Sequence, residues 1–477
     1  MCGIAGMVST GDAVMGLFCL GYKQQHRSHR SAGMVVWDAD ECRYLPVKGM
    51  GNFTEIFTRE KLAYLHGNIG IAHVRWATHG ELSAKNIHPL AFLFRGKRGY
   101  IVHNGEISCR NGLEEQFRNY QPEVSADTKF IAGLIETAPT TDFLSALQYA
   151  FSVIKGTYSL LILYDNAVYA VRDVTGNRPL FMGGWQENSV CFASESSALV
   201  CLGLRPRDMR EVAPGEMVVV RGSDLSVESH SIAAPPDIPR ALRFCMIELL
   251  YSMYPTTIVL GRTVRSIRER LGYELGARYR PPADIVVGVP DSGVSAGIGY
   301  SAATGIPYVQ GIIRYHQSGR IFYHAVDERA ERYRLKYDAD FEALRDRRVV
   351  LVDDTLFASD TIRNVITICV EAGAREIHVA IPSPMITRPC YYGTPTSSDH
   401  RRLIARDYGG DLEAIRTDIN RTVGGRLGSL AFLTLEEAKR AIVATPPVLS
   451  GYGAIGTDNF CDACFLGGRR HIPVDVD

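Results

Sequence analysis

The first residues able to do chemistry stand at the start of the chain, in Met1-Cys2-Gly3-Ile4-Ala5-Gly6. Once the initiator Met is removed, as a small second residue permits, Cys2 carries a free α-amine beside its own sulfur. With an ordinary pKa of about 8, that amine is partly unprotonated near neutral pH and can take the thiol proton, directly or through a water. The thiolate is the reactive form of cysteine. On these residues alone a buried apolar start to a strand stays open. Arg75, in His73-Val74-Arg75-Trp76-Ala77-Thr78-His79-Gly80, is a bidentate donor suited to a carboxylate. His103-Asn104-Gly105 closes an apolar run with a side-chain amide and a glycine N–H, the donor types of an oxyanion hole. Asp127 could hold an α-ammonium. Singly each reads as a loop residue; together they supply what attack on the side-chain amide of free glutamine requires.

A second group lies far downstream. Arg348-Val349-Val350-Leu351-Val352 runs into Asp353-Asp354-Thr355, and Ile285 to Val289 runs into Pro290-Asp291-Ser292-Gly293. A buried strand ending in two acids, a loop of small hydroxyl residues and then a helix, expected over 361–372, make a parallel α/β unit with a crevice at its carboxyl end. A plain β-α unit with exposed acids is the alternative. The third group is Cys461 and Cys464, spaced C-x-x-C; spacing alone points to zinc or to no function. Cys19, Cys42, Cys109, Cys191, Cys201 and Cys369 read as packing.

The elements that must position these residues fall into two patterns. Residues 1 to about 230 read as short strands, among them 69–76, 100–103, 158–164 and 168–171, with one helix-like segment at 143–154. This predicts a layered α+β domain with two sheets. The Pro-rich stretch Ala233 to Pro239 reads as a linker, and beyond it apolar strands alternate with helices. A chain of 477 residues with 52 basic and 52 acidic side chains and 46% hydrophobic content reads as a soluble multidomain protein. Balanced charge argues against a nucleic-acid binder, no apolar run approaches the roughly 20 residues of a membrane span, and 11 cysteines without a leader read as reduced cytoplasm.

The Cys-Gly-Ile start, the H-x-R-W-A-T-H-G and H-N-G segments and the later Asp resemble the class II, N-terminal-nucleophile glutamine amidotransferases. The resemblance implies Cys2 as nucleophile and base donor, Asn104 and Gly105 as oxyanion hole, and Arg75 and Asp127 as glutamine clamps. Val171 to Leu180, Ala193-Ser194-Glu195-Ser196 and Pro214-Gly215-Glu216 narrow it to the amidophosphoribosyltransferases. That implies an αββα glutaminase domain over 2–232, a phosphoribosyltransferase-like α/β domain over 240–442 and a tail over 443–477. Phosphoribosyl pyrophosphate would be bound by Asp353, Asp354, Thr355, Ser359 and Thr361. Arg320 and Lys336 match basic positions of a closing loop, with a solvated basic helix as the alternative. Magnesium would sit at Asp353 and Asp354 through the substrate. Cys245, Cys390, Cys461 and Cys464 match the iron-sulfur subgroup, implying a four-iron, four-sulfur (4Fe-4S) cluster that ties the tail to the second domain. The family further implies a homotetramer and a product, 5-phosphoribosylamine, that begins purine synthesis.

Three departures stand out. Ser28 replaces a glycine in His26-Arg27-Ser28-His29. The family's V-D-D-S-I-V-R-G-T-T reads Val352 to Thr361 here, with Ala358-Ser359-Asp360 in place of R-G-T. Asp360 is expected to cap the following helix and compete with the substrate phosphate, at an upper cost of roughly 4 kcal/mol. Tyr254 and Thr256 replace an arginine and an aspartate. These departures leave two rivals: a paralogue whose ammonia goes to a different phosphorylated or ribosyl acceptor, and a non-catalytic nucleotide-sensing homologue.

Overall fold

The computed structural model describes residues 1–76, 83–185, 188–315, 329–394, 403–449 and 452–475. Gly3–Ser9, buried on both faces, is the middle strand of a seven-stranded sheet. It pairs antiparallel with Ile69–Arg75 on one side and Ser189–Ala193 on the other. A second, six-stranded sheet places Lys97–Ile107 between Leu90–Phe94 and Gly156–Tyr164. Strand alternation puts Ile4, Val8, Ile69 and Ile71 of the first sheet against Tyr100, Val102, Leu161 and Leu163 of the second in one apolar layer. The outer faces take helices. Leu17 and Leu20 of Val14–Lys23 cover the first sheet, and helices Thr128–Glu136 and Phe143–Val153 cover the second. The αββα layering expected of this half is therefore present, and the expected helix at 143–154 ends one residue early.

The second half is built on four parallel strands in the order Ile285–Gly288, Arg348–Val352, Glu376–Ile381, Leu427–Phe432. Such strands are covered on both faces, hence their unbroken apolar runs. Val286, Val350 and Val352 face helices Val264–Arg278 and Gly293–Thr304, while Val287, Val349 and Leu351 face Ser359–Glu371. The first two helices pack backbone to backbone. A Cβ on Gly272 would lie 1.9 Å from the Ala296 carbonyl oxygen, so no larger residue fits.

The tail joins both halves. Phe460–Cys461 pairs in parallel with Phe244–Cys245. Farther on, the Ser108 hydroxyl donates to the Pro473 carbonyl at 2.7 Å, and the Asp475 carboxylate accepts from the Asn111 N–H at 2.8 Å. Attachment to the second half alone was expected; the tail also reaches the first sheet pair. Among the described residues no helix is long and apolar enough to cross a membrane.

Candidate functional site

Cys2 directly precedes the middle strand of the first sheet, and its position is set by two contacts. Its carbonyl accepts from Arg27 Nε at 2.7 Å, and its Sγ lies 3.5 Å from the Trp76 carbonyl. Around it opens a small recess lined by Arg75, His103, Gly105, Asp127 and Thr128 among others. Arg75 ends the neighbouring strand. Burial lowers its pKa, against the pull of Cys2 and Asp127. Ser28 is buried, and its hydroxyl donates to the Arg75 carbonyl, so the residue that departs from the family pattern holds the backbone at Arg75. Asp127 precedes helix Thr128–Glu136, and its Oδ2 accepts from the Ile107 N–H at 2.8 Å.

Asn104 and Gly105 lie inside the strand Lys97–Ile107 rather than at its end, correcting the sequence expectation. Gly105 lines the recess. Asn104 is its neighbour in the strand, and both its side-chain amide atoms are buried without a partner among the described residues. An unpaired buried amide is costly and invites a ligand atom. Below the recess three imidazoles are kept neutral. His73, pushed down to about 3, and His103 are lowered first by burial. His88 is lowered well below its ordinary value by burial and by its neighbours His73 and Arg75. Met1 is present and buried, and burial pushes its amine down to about 5.

Asp353 and Asp354 stand at the carboxyl end of Arg348–Val352, both buried. Burial raises both, and their mutual repulsion raises Asp353 further. Thr355 Oγ1 donates to Asp354 at 2.6 Å, and Ser292 donates to its other oxygen. Lys336 ends a helix at Arg329–Lys336; burial lowers its pKa while Asp353 and Asp354 pull it up. The Ser359 hydroxyl accepts from Arg363 Nε at 2.7 Å, and Thr361 pairs with the Tyr333 hydroxyl at 3.0 Å. Arg320 lies outside the described residues. Asp360 is not the cap: the helix starts after Ala358, with no side-chain cap bond, and Asp360 occupies its second position.

Residues 73–201 match a family model described as a glutamine amidotransferase domain. The chain is 33% identical to the amidophosphoribosyltransferase of Bacillus subtilis (strain 168) over 98% of its own length and 93% of the other's. It belongs to the amidophosphoribosyltransferase family. The family member of Methanothermobacter thermautotrophicus is 34% identical over 92% of this chain and 90% of its own. The solved glutamine phosphoribosylpyrophosphate amidotransferase from B. subtilis, complexed with ADP and GMP, superposes over all of this chain and 98% of the other. The TM-score is 0.85 and the identity 31%.

Within this family member a buried ion network joins the halves, and sequence reading assigned it no role. Arg27 bonds Glu195 at 2.7 Å and Glu248 at 2.6 Å, and Arg178 lies 3.3 Å from Glu248, all fully buried. Burial alone would raise Glu195, but His26 and Arg27 hold it well below the usual carboxylate range. Arg178 and Glu195 fall in segments that carried the resemblance, while Arg27 and Glu248 do not, so nothing local in the sequence marked the four as one network. The Glu195 carboxylate also accepts from the Tyr254 N–H at 2.8 Å, a backbone bond indifferent to the side chain at 254.

The four family-pattern cysteines are buried, and Cys245, Cys461 and Cys464 each lie within electrostatic reach of Cys390. Burial and then their neighbours raise Cys245, Cys461 and Cys464, and Cys390 Sγ accepts from the N–H groups of Tyr392 and Thr394 at 3.3 Å. Among the described residues no three His, Cys, Asp or Glu side chains gather for one ion. Of the six cysteines read as packing, Cys42 and Cys201 are exposed and only Cys191 and Cys369 are buried.

Proposed function

We propose that this chain hydrolyses glutamine at Cys2 and transfers the ammonia to C1 of phosphoribosyl pyrophosphate, giving 5-phosphoribosylamine, pyrophosphate and glutamate. The observation that carries the reading is one recess holding Cys2, Arg75, Gly105 and Asp127 in a chain aligned almost end to end with amidophosphoribosyltransferases. With Met1 removed, the Cys2 amine takes the thiol proton and Sγ attacks the amide carbon. Gly105 N–H and the unpartnered Asn104 amide receive the oxyanion. The C–N bond breaks, the proton leaves with ammonia, and water then cleaves the thioester to glutamate. Arg75 holds the α-carboxylate and Asp127 the α-ammonium.

In the second half Asp353 and Asp354 hold the ribose hydroxyls. Thr355, Ser359, Thr361 and the helix N-terminus receive the 5′-phosphate, with Lys336 and Arg320 towards the pyrophosphate. Two buried acids raised by desolvation suit a cation. Bound there with the substrate, magnesium would neutralise charge on departing pyrophosphate. Membership of the iron-sulfur subgroup and assembly as a homotetramer belong to the same proposal. Cys245, Cys390, Cys461 and Cys464 would hold a 4Fe-4S cluster, which when bound cross-links the tail to the second half. Thiols raised by burial favour a cationic group that keeps them ionised, and N–H groups aimed at sulfur are typical of such sites.

The changed loop Ala358-Ser359-Asp360 favours a second reading, a divergent phosphate loop serving another phosphorylated or ribosyl acceptor. The deciding experiment is anaerobic glutamine hydrolysis with and without phosphoribosyl pyrophosphate and Mg²⁺, scoring glutamate and pyrophosphate. Release of both is expected, and Cys2→Ala should abolish glutamate. Glutamate without pyrophosphate would move the reading to the second acceptor. The same preparation should contain iron and sulfide at about four each per chain; stoichiometric zinc without iron removes the cluster.

A further inference from the structure

Gly393, in the second half, sits against the backbone of Gly105. A Cβ on Gly393 would lie 2.8 Å from the Gly105 carbonyl carbon and 2.9 Å from its oxygen, and Gly393 has φ +98°. On its other side Gly105 is equally confined. A Cβ there would meet the Thr157 carbonyl oxygen at 2.0 Å. The turn bearing Gly393 is itself fixed to the glutaminase half. The Tyr392 carbonyl accepts from Thr157 Oγ1 at 2.8 Å and from Arg178 Nε at 3.0 Å, and Arg178 reaches Glu248 in the buried network. Thr157 belongs to the strand that pairs with the Gly105 strand, its partner being Glu106. Strand pair and turn are thus one bonded unit.

We propose that the Tyr392–Gly393 turn is a positioning element for the oxyanion hole: docked from the second half, it fixes the Gly105 peptide and so sets the rate of glutamine hydrolysis. The inference rests on the reading of Cys2 and Gly105 given above. Losing one oxyanion donor costs about 10² to 10³ in rate, so misplacing one by a few tenths of an ångström should cost about tenfold. Gly393 and Thr157 touch no substrate and act only through Gly105.

The test compares wild type, Gly393→Ala and Thr157→Val. It reads kcat and KM for glutamine hydrolysis, inhibition by the γ-aldehyde analogue of glutamine, and ammonia-driven pyrophosphate release. In the inhibitor complex Sγ bonds to the aldehyde carbon, the thiol proton goes to the Cys2 amine, and the former carbonyl oxygen remains as an oxyanion. Nothing is oxidised or reduced. For Gly393→Ala we expect kcat at least tenfold lower with KM within twofold, aldehyde binding weakened by a similar factor, and ammonia-driven release retained. Thr157→Val, which removes an anchor without adding bulk, should give the same pattern at about threefold. Wild-type kcat in both variants, or a raised KM with unchanged kcat, overturns the proposal. Should Gly393→Ala fail to fold, Thr157→Val alone decides. A wild type without glutaminase activity overturns the underlying reading as well, and shows itself before any variant is made.

Discussion

Glu106 is a carboxylate with too few partners. Its Oε1 accepts from Arg110 at 3.3 Å, its Oε2 has no partner, and burial followed by Asp127 pushes its pKa up to about 7. A folded pKa above the ordinary carboxyl value means that the contribution of Glu106 is fully present below about pH 4.5. It is lost as pH rises through about 7. Glu106→Gln should therefore be little more stable than wild type at pH 5 and more stable by at most about 3 kcal/mol at pH 8. Denaturant unfolding at the two pH values checks this; an equal gap at both would mean that Glu106 is already charged at pH 5. Residue identity was legible in sequence at this site where chemistry demands a rare type, as with Cys2, Arg75 and Asp127. The Ser28 bond to the Arg75 carbonyl was not, because a hydroxyl's partner is set by the fold of two strands that meet only in space.

At the scale of elements, the departure in the phosphate loop is milder than its sequence suggests. Asp360 was expected to occupy the N-cap and cover the N–H groups a phosphate needs, but the helix begins two residues earlier, after Ala358. An acid in the first turn then acts mainly by taking up part of the helix-end field, about 1 kcal/mol rather than the capping competition. Asp360→Thr should accordingly tighten phosphoribosyl pyrophosphate binding about fivefold in calorimetry. Unchanged affinity would place the carboxylate beyond reach of the phosphate. Strand and helix positions were readable to within a residue or two in the parallel sheet, because burial on both faces writes unbroken apolar runs into the sequence. The strand carrying Asn104 and Gly105 was cut short in that reading: polar residues inside a strand look like its end, yet here the strand continues to Ile107 and Gly105 lines the recess.

At the scale of the whole molecule, Arg27, Glu195, Glu248 and Arg178 make the two halves one unit. Glu248→Ala leaves Arg27 and Arg178 buried with an anionic partner missing, which should cost about 3 to 5 kcal/mol. A lower unfolding midpoint together with reduced glutaminase activity is expected; an unshifted midpoint would show that the network contributes nothing net. The sequence by itself determined the αββα and α/β pairing, and it singled out Cys2 as a candidate nucleophile and Asp353 with Asp354 as a candidate binding pair. Each rests on local periodicity or on a residue type that few other roles require. Only the tertiary structure decided that the tail reaches the first half, that Asp360 is not a cap, and that Gly393 presses on Gly105. The Asp360 outcome depends on where one helix begins, whereas the other two depend on which surfaces meet across more than 250 residues of chain, and a glycine records such a contact only as a missing side chain.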